Sequence, residues 1–243
     1  TKTLSAFNYD KNTYYDMTAN LDIKDYDGDK YYMWDAQDQY WKGHEWNHGG
    51  SQPTLSYYLP NATTSSDYAQ SNTDLRYWNE SYPGWGISNP ATHTSCKDLP
   101  NVNEMTWYAK EGDPRWDADK LWTTMGHLYK GGMWCKKKAY ISGYNSNTAV
   151  DGTDWRTTYK DQNWPVSSSL PSAADAGKYF YLPALGYYFS GQLSLVGGYG
   201  YYWSSSAHPL SSIYAYSLYF TSTTVFVYGF HNRNGGWRVG GFE

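Results

Sequence analysis

Cysteine is nearly absent: Cys96 and Cys135 are the two in a chain of 243 residues. Their separation fits no metal-ligand spacing, so they form one disulfide if the protein is exported, or stand as two buried thiols. No apolar run approaches the ~20 residues that a membrane helix needs. No basic face is evident. Lys and Arg number 19 against 23 Asp and Glu, a net charge of −4, which argues against a nucleic-acid partner. No signal peptide is evident and the sequence opens at Thr1 rather than Met, which fits removal of a leader or anchor. The most telling absence is local. From Tyr179 to Phe242 there is no Lys, Asp or Glu, and Arg233 and Arg238 carry the only full charges.

Aromatic residues fill the space that aliphatics usually take. The chain holds 28 Tyr and 13 Trp, while mean hydropathy is −0.78. The core is therefore expected to be aromatic, with many ring hydroxyls that need partners. The charge-free stretch is built of Tyr, Ser, Gly, Thr and Val, too polar to be core alone. Tyr gives contact area at small entropic cost, and Ser, Gly and Asn give adaptable hydrogen bonds, as in binding loops. A recognition surface is the first expectation for residues 179–242.

Along the chain, Thr1–Leu21 alternates loosely and reads as strand plus turn. Asp25, Asp27 and Asp29 flank Gly28, but Lys30 and Ala36 stand where an EF-hand needs Gly and Glu. An Asp-Gly hairpin between two strands is the favoured reading. His44, Glu45 and His48 satisfy H-E-x-x-H, in which a helix would place two His on one face beside a Glu base. Gly43 precedes the motif and Gly49-Gly50 follow, which argues against a helix there. Thr54 occupies the place of a third ligand. Residues 49–95 read as long irregular connection with the sequons Asn61-Ala-Thr63 and Asn79-Glu-Ser81.

After Leu99-Pro100 the spacing predicts a helix over 101–111. Asn101 or Asn103 caps it, Val102, Met105 and Tyr108 or Ala109 share one side, and Gly112 and Pro114 end it. A second, interrupted helical pattern runs over 117–138, with Leu121, Trp122 and Met125 in one apolar group and Met133, Trp134 and the stem of Lys137 in another. Lone His127 reads as a packed side chain and Lys136–Lys138 as a solvated face. From residue 179 short strands alternate with Gly turns. Val225 and Val227 alternate with Phe226 and Tyr228, so one pair faces core and the other faces out. Helices followed by a run of strands mean α+β.

Five blocks, LPNVNEMTWYAKEGDPRWD, LWTTMGHLYKGGMW, DGTDWRTT, YFYLPALGYY and GYYWSSSA, resemble variable proteins of diversity-generating retroelements in gut bacteria. These belong to the formylglycine-generating-enzyme-like branch of the C-type lectin fold. The resemblance spans roughly Cys96 to Phe242. It implies one C-type-lectin-like domain over 1–243: N-terminal strands and loops to residue 95, then a core of two helices packed on twisted antiparallel sheet with long irregular loops, with residues 179–242 variable. It implies a receptor at a bacterial cell surface, lipid-anchored or carried by a pilus or phage, whose ligand is a protein or glycan on another cell or surface. No catalysis, metal or cofactor is expected. The family's enzymes use C-terminal cysteines, and this chain has none after Cys135. Calcium-dependent sugar motifs are also missing, Tyr77–Glu80 being the nearest match.

Strand alternation and the polar turn that follows nominate Phe226, Tyr228, Phe230, His231, Asn232 and Asn234 for binding. The resemblance adds His208, Leu210, Ser211, Ser212, Tyr214, Ser217, Thr223, Thr224 and Trp237 as variable positions. Trp203, Leu218, Phe220, Val225, Val227, Arg238 and Val239 are expected to be fixed scaffold. Two other readings compete: a zinc hydrolase using His44, Glu45 and His48, and a structural pilus subunit whose aromatic strands pack against a neighbour.

Overall fold

A computed structural model describes residues 23–27, 30–45, 68–78 and 90–243. The expectations for Thr1–Leu21, Gly28, Asp29, His48, Thr54 and both sequons lie outside these residues. Among the described residues the chain is mostly strand, with one α-helix. None of it is helical and apolar over a length that crosses a membrane.

The helix, α1 (Val102–Lys110), forms where its signals are strongest. The Asn101 side chain accepts from the Glu104 N–H, and the Glu104 carboxylate accepts from the Asn101 N–H at 2.8 Å, a reciprocal capping box. Asn103 does not cap. It is buried, donating to Asp154 and accepting from the Trp155 N–H at 2.9 Å. Val102, Met105, Tyr108 and Ala109 form the buried side. The chain leaves the helix at Gly112, where a Cβ would lie 2.2 Å from the Tyr108 carbonyl oxygen.

The segment expected as a second helix is instead a β-hairpin, β3 (Arg115–Thr124) and β4 (His127–Lys136). Met125 and Gly126 both have positive φ, 49° and 73°, the backbone of a two-residue hairpin turn. Inside β4, a Cβ on Gly132 would lie 2.4 Å from the Tyr181 hydroxyl, so close strand packing requires glycine there. Trp122, Thr123, Thr124 and Tyr129 suit a pleated surface better than a helix. The helix-like spacing of Leu121, Trp122 and Met125 was overridden by pairing: β4 lies between β3 and β6 (Tyr179–Pro183), with β1 (Lys24–Asp25) parallel to β3 at the far edge.

The larger sheet has six strands. From one edge these are β2 (Tyr31–Tyr32), β12 (Trp237–Arg238), β9 (Gly200–Ala207), β10 (Tyr214–Phe220), β11 (Thr224–Asn232) and β5 (Gln162–Pro165). Every neighbouring pair is antiparallel except β12 with β9. A small ribbon of β7 (Tyr187–Phe189) and β8 (Gln192–Ser194) stands beside it. The strands on either side of residue 28 do not pair with each other: β1 and β2 join different sheets.

One face of the six-stranded sheet packs on α1. Tyr202, Tyr216, Leu218, Phe220, Val225 and Val227 meet Val102, Met105 and Ala109 there, together with Met133, Phe180 and Leu182. Burying each large apolar side chain contributes roughly 1.5–3 kcal/mol. The buried Tyr202 hydroxyl donates to the Pro183 carbonyl at 2.7 Å. The cysteines do not pair. Both are free and buried, Cys135 in this core and Cys96 in a separate cluster with Trp34, Trp203 and Trp237. Burial pushes the Cys96 thiol up to about 12.

Candidate functional site

Among the described residues, the opposite face of the six-stranded sheet has no helix on it. Strand alternation sends Leu218, Phe220, Val225 and Val227 inward and Tyr219, Phe226 and Tyr228 outward. Register then aligns the outward residues: Tyr219 sits between Tyr201 on β9 and Phe226 on β11. Their rings form a row across the strands. Tyr199 and Tyr201 lie 6.2 Å apart at 12°, Tyr201 and Tyr219 5.3 Å at 9°, and Tyr219 and Phe226 4.4 Å at 3°. All four are half-buried. Offset ring pairs of this kind add about 0.5–1.5 kcal/mol each beyond area burial.

His231 holds the row to its neighbours. Its ring meets Trp237 edge-on at 4.0 Å and Tyr228 at 4.7 Å, and Nδ1 hydrogen-bonds the Ser217 hydroxyl at 2.8 Å. Enclosure by these rings pushes its pKa down to about 3, so the imidazole is neutral. Trp237 is 4% exposed and stacks on Trp203 at 3.9 Å. It forms the floor of the face.

Two concavities open on this face. One, of about 220 Å³, is lined by Tyr187, Phe189, Tyr201, Phe230, His231 and Trp237 among others. The other, of about 410 Å³, lies between β5 and β10–β11, lined by Asp161, Gln162, Asn163, Tyr219, Phe226 and Tyr228. At the end of β11 a second ring cluster forms. The Phe230 ring covers His208 at 4.8 Å and Tyr159 at 4.9 Å, with Tyr214 edge-on at 5.3 Å. His208 is 1% exposed, accepts from the Leu210 N–H through Nδ1, and has no partner at Nε2. Burial lowers its pKa.

The residues nominated from sequence fall into four places. Phe226, Tyr228 and His231 share the sheet face, above buried Ser217 and Trp237. Phe230, Asn232 and Asn234 are exposed at the end of β11 and the turn after it. Leu210, Ser211, Ser212 and Tyr214 lie in and beside the β9–β10 loop at the same end, with Leu210 69% exposed and His208 beneath. Thr223 and Thr224 are at the β10–β11 turn, the other end of strands about 20 Å long. Sequence reading missed Tyr187, Phe189, Tyr199, Tyr201, Tyr219 and Asp161. The period-2 pattern in GYYWSSSA and IYAYSLYF carried the signal for Tyr201 and Tyr219; nothing local marks Asp161.

Of the H-E-x-x-H motif, His44 and Glu45 are among the described residues. Tyr40–Gly43 is a turn, Gly43 has φ 84°, and His44 and Glu45 follow without helix. The Glu45 carboxylate accepts from the Gln39 amide at 2.8 Å, and the His44 ring lies 5.8 Å from Trp41. Among the described residues no three His, Cys, Asp or Glu converge as a metal site would require. Asp25 accepts from the Thr123 hydroxyl at 2.9 Å. Comparison with protein-family models, with curated proteins and with solved structures finds no match for this chain.

Proposed function

We propose that this protein is a non-enzymatic receptor that presents a variable, Tyr-rich binding face on a C-type-lectin scaffold. In this reading a retroelement diversifies the face for recognition at a bacterial cell surface, a pilus tip or a phage tail. The observation that carries the reading is the row Tyr199–Tyr201–Tyr219–Phe226, half-exposed on the sheet face that α1 does not cover. Large rings held by backbone pairing can anchor a ligand at little further entropic cost. The same strands place their inward residues against α1, so outward residues can change without touching that core.

Simultaneous replacement of Leu210, Phe226, Tyr228, Phe230, Asn232 and Asn234 by a library of residue types tests this. Most variants should fold, judged by cooperative melting, while binders selected on one variant fail to bind another. Collapse of folding across the library, or binding indifferent to these positions, would overturn the reading. Its retroelement component is checked in the surrounding DNA. A near-identical repeat of the 3′ coding region, differing at adenines and lying beside a reverse transcriptase gene, is the expected finding.

A further inference from the structure

Asp161 is half-buried and lines the larger of the two concavities on the aromatic face. Its Oδ1 accepts from the Gly229 N–H at 2.7 Å and its Oδ2 accepts from the Tyr159 hydroxyl. Both donors are neutral. Among the described residues no cation pairs with it. Lys160, its neighbour in the chain, is drawn to Asp151 at 2.6 Å. Arg233 is buried over the rings of Trp34 and Trp78. A carboxylate taken partly out of water without a counter-charge is costly, and burial indeed raises its pKa.

The walls beside it are ring surface. Phe226 stacks on Tyr219, and Tyr228 stands edge-on to Tyr219 at 6.2 Å. Aromatic faces carry negative quadrupole and attract a cation, more strongly when water is excluded. The residues that line the concavity include no Lys, Arg or His. Negative charge, ring faces and a volume of about 410 Å³ therefore converge on one vacancy of charge.

We propose that this concavity receives an arginine side chain from a protein partner, its guanidinium pairing with Asp161 and lying against Phe226 or Tyr228. Arginine fits better than lysine because its planar group stacks on rings while keeping hydrogen-bond donors for a carboxylate. A sugar would add only neutral hydrogen bonds to a carboxylate that already has two. The assignment rests on the binding-face reading and narrows it to a partner with an exposed basic residue.

The test titrates the whole chain with N-acetyl-arginine amide and, in parallel, with N-acetyl-citrulline amide, a neutral isostere. Aromatic resonances are followed by NMR. Tyr219, Phe226 and Tyr228 should shift with the arginine derivative, and citrulline should bind at least about tenfold more weakly. D161N should lower the arginine affinity by a similar factor. Equal binding of the two compounds, or shifts confined to other rings, overturns the proposal. Should D161N fail to fold, the two compounds on the unaltered chain still decide. Peptides selected for binding to the unaltered chain separate the two levels of inference. If they bind through Phe226 and Phe230 yet carry no basic residue, the arginine site falls while the binding face stands. If they need a basic residue and lose affinity with D161N, both stand.

Discussion

The two faces of the β9–β10–β11 sheet are made from the same strands, yet they differ in what covers them. Inward residues such as Leu218, Phe220, Val225 and Val227 are sealed under α1. Outward residues such as Tyr201, Tyr219, Phe226 and Tyr228 pack among the described residues on one another and on neighbouring rings such as His231 and Trp237, with no helix over them. Strand alternation alone assigns each residue to its side. Whether a ring then acts as core or as surface depends on the presence of a second layer.

The largest expected contrast is in stability. Leu218→Ala should cost about 3 kcal/mol in urea unfolding, as for other buried leucines, while Tyr228→Ser on the adjoining strand should cost on the order of 1 kcal/mol or less. Equal losses would erase the distinction between the faces. A middle-sized effect belongs to the covering layer. Asn101→Ala removes the side-chain acceptor for the Glu104 N–H and should cost about 1 kcal/mol, with no change in ligand binding by the outer face.

Phe226→Ala should cost on the order of 1 kcal/mol, chiefly through its stack with Tyr219, and should shift Tyr219 fluorescence or NMR signals more than any signal from α1. The last effect is one of pH. His231 has a folded pKa of about 3 against an ordinary value of 6.5, so the unfolded chain takes up its proton first. Stability contributed by neutral His231 is full above about pH 6.5 and is lost as pH falls toward 3. Melting temperature should fall between pH 7 and 5, and His231→Gln should flatten that slope. His208, lowered in the same direction, leaves a residual slope. A slope unchanged by the substitution would remove His231 from the account.

What the sequence made legible was local. Asn101, Glu104 and the spacing of Val102, Met105 and Ala109 mark α1 within ten residues of chain, and alternation marks β11 within four. The β3–β4 hairpin was obscured because Trp122 and Met125 happen to repeat at helical spacing, while the strand preference comes from pairing with Phe180 and Leu182, some fifty residues on. Asp161 was invisible for a related reason. Its nearest donors are Tyr159 beside it and Gly229, 68 residues away. The resemblance makes His208 a variable position, yet it is buried because Tyr159 and Phe230 close over it. Trp237 is similarly held down by Trp203.

The placement of β12 between β2 and β9 has a kinetic consequence. β2 hydrogen-bonds to residues 237–238, more than two hundred positions later, and has no other strand partner in that sheet among the described residues. During synthesis, at about 5–20 residues per second, the strand at 31–32 therefore waits unpaired until nearly all of this sequence has been made. Closure over so long a loop is entropically slow. The sheet can gather β9, β10 and β11 as they emerge, but its last seam closes only after the aromatic face has already been laid down.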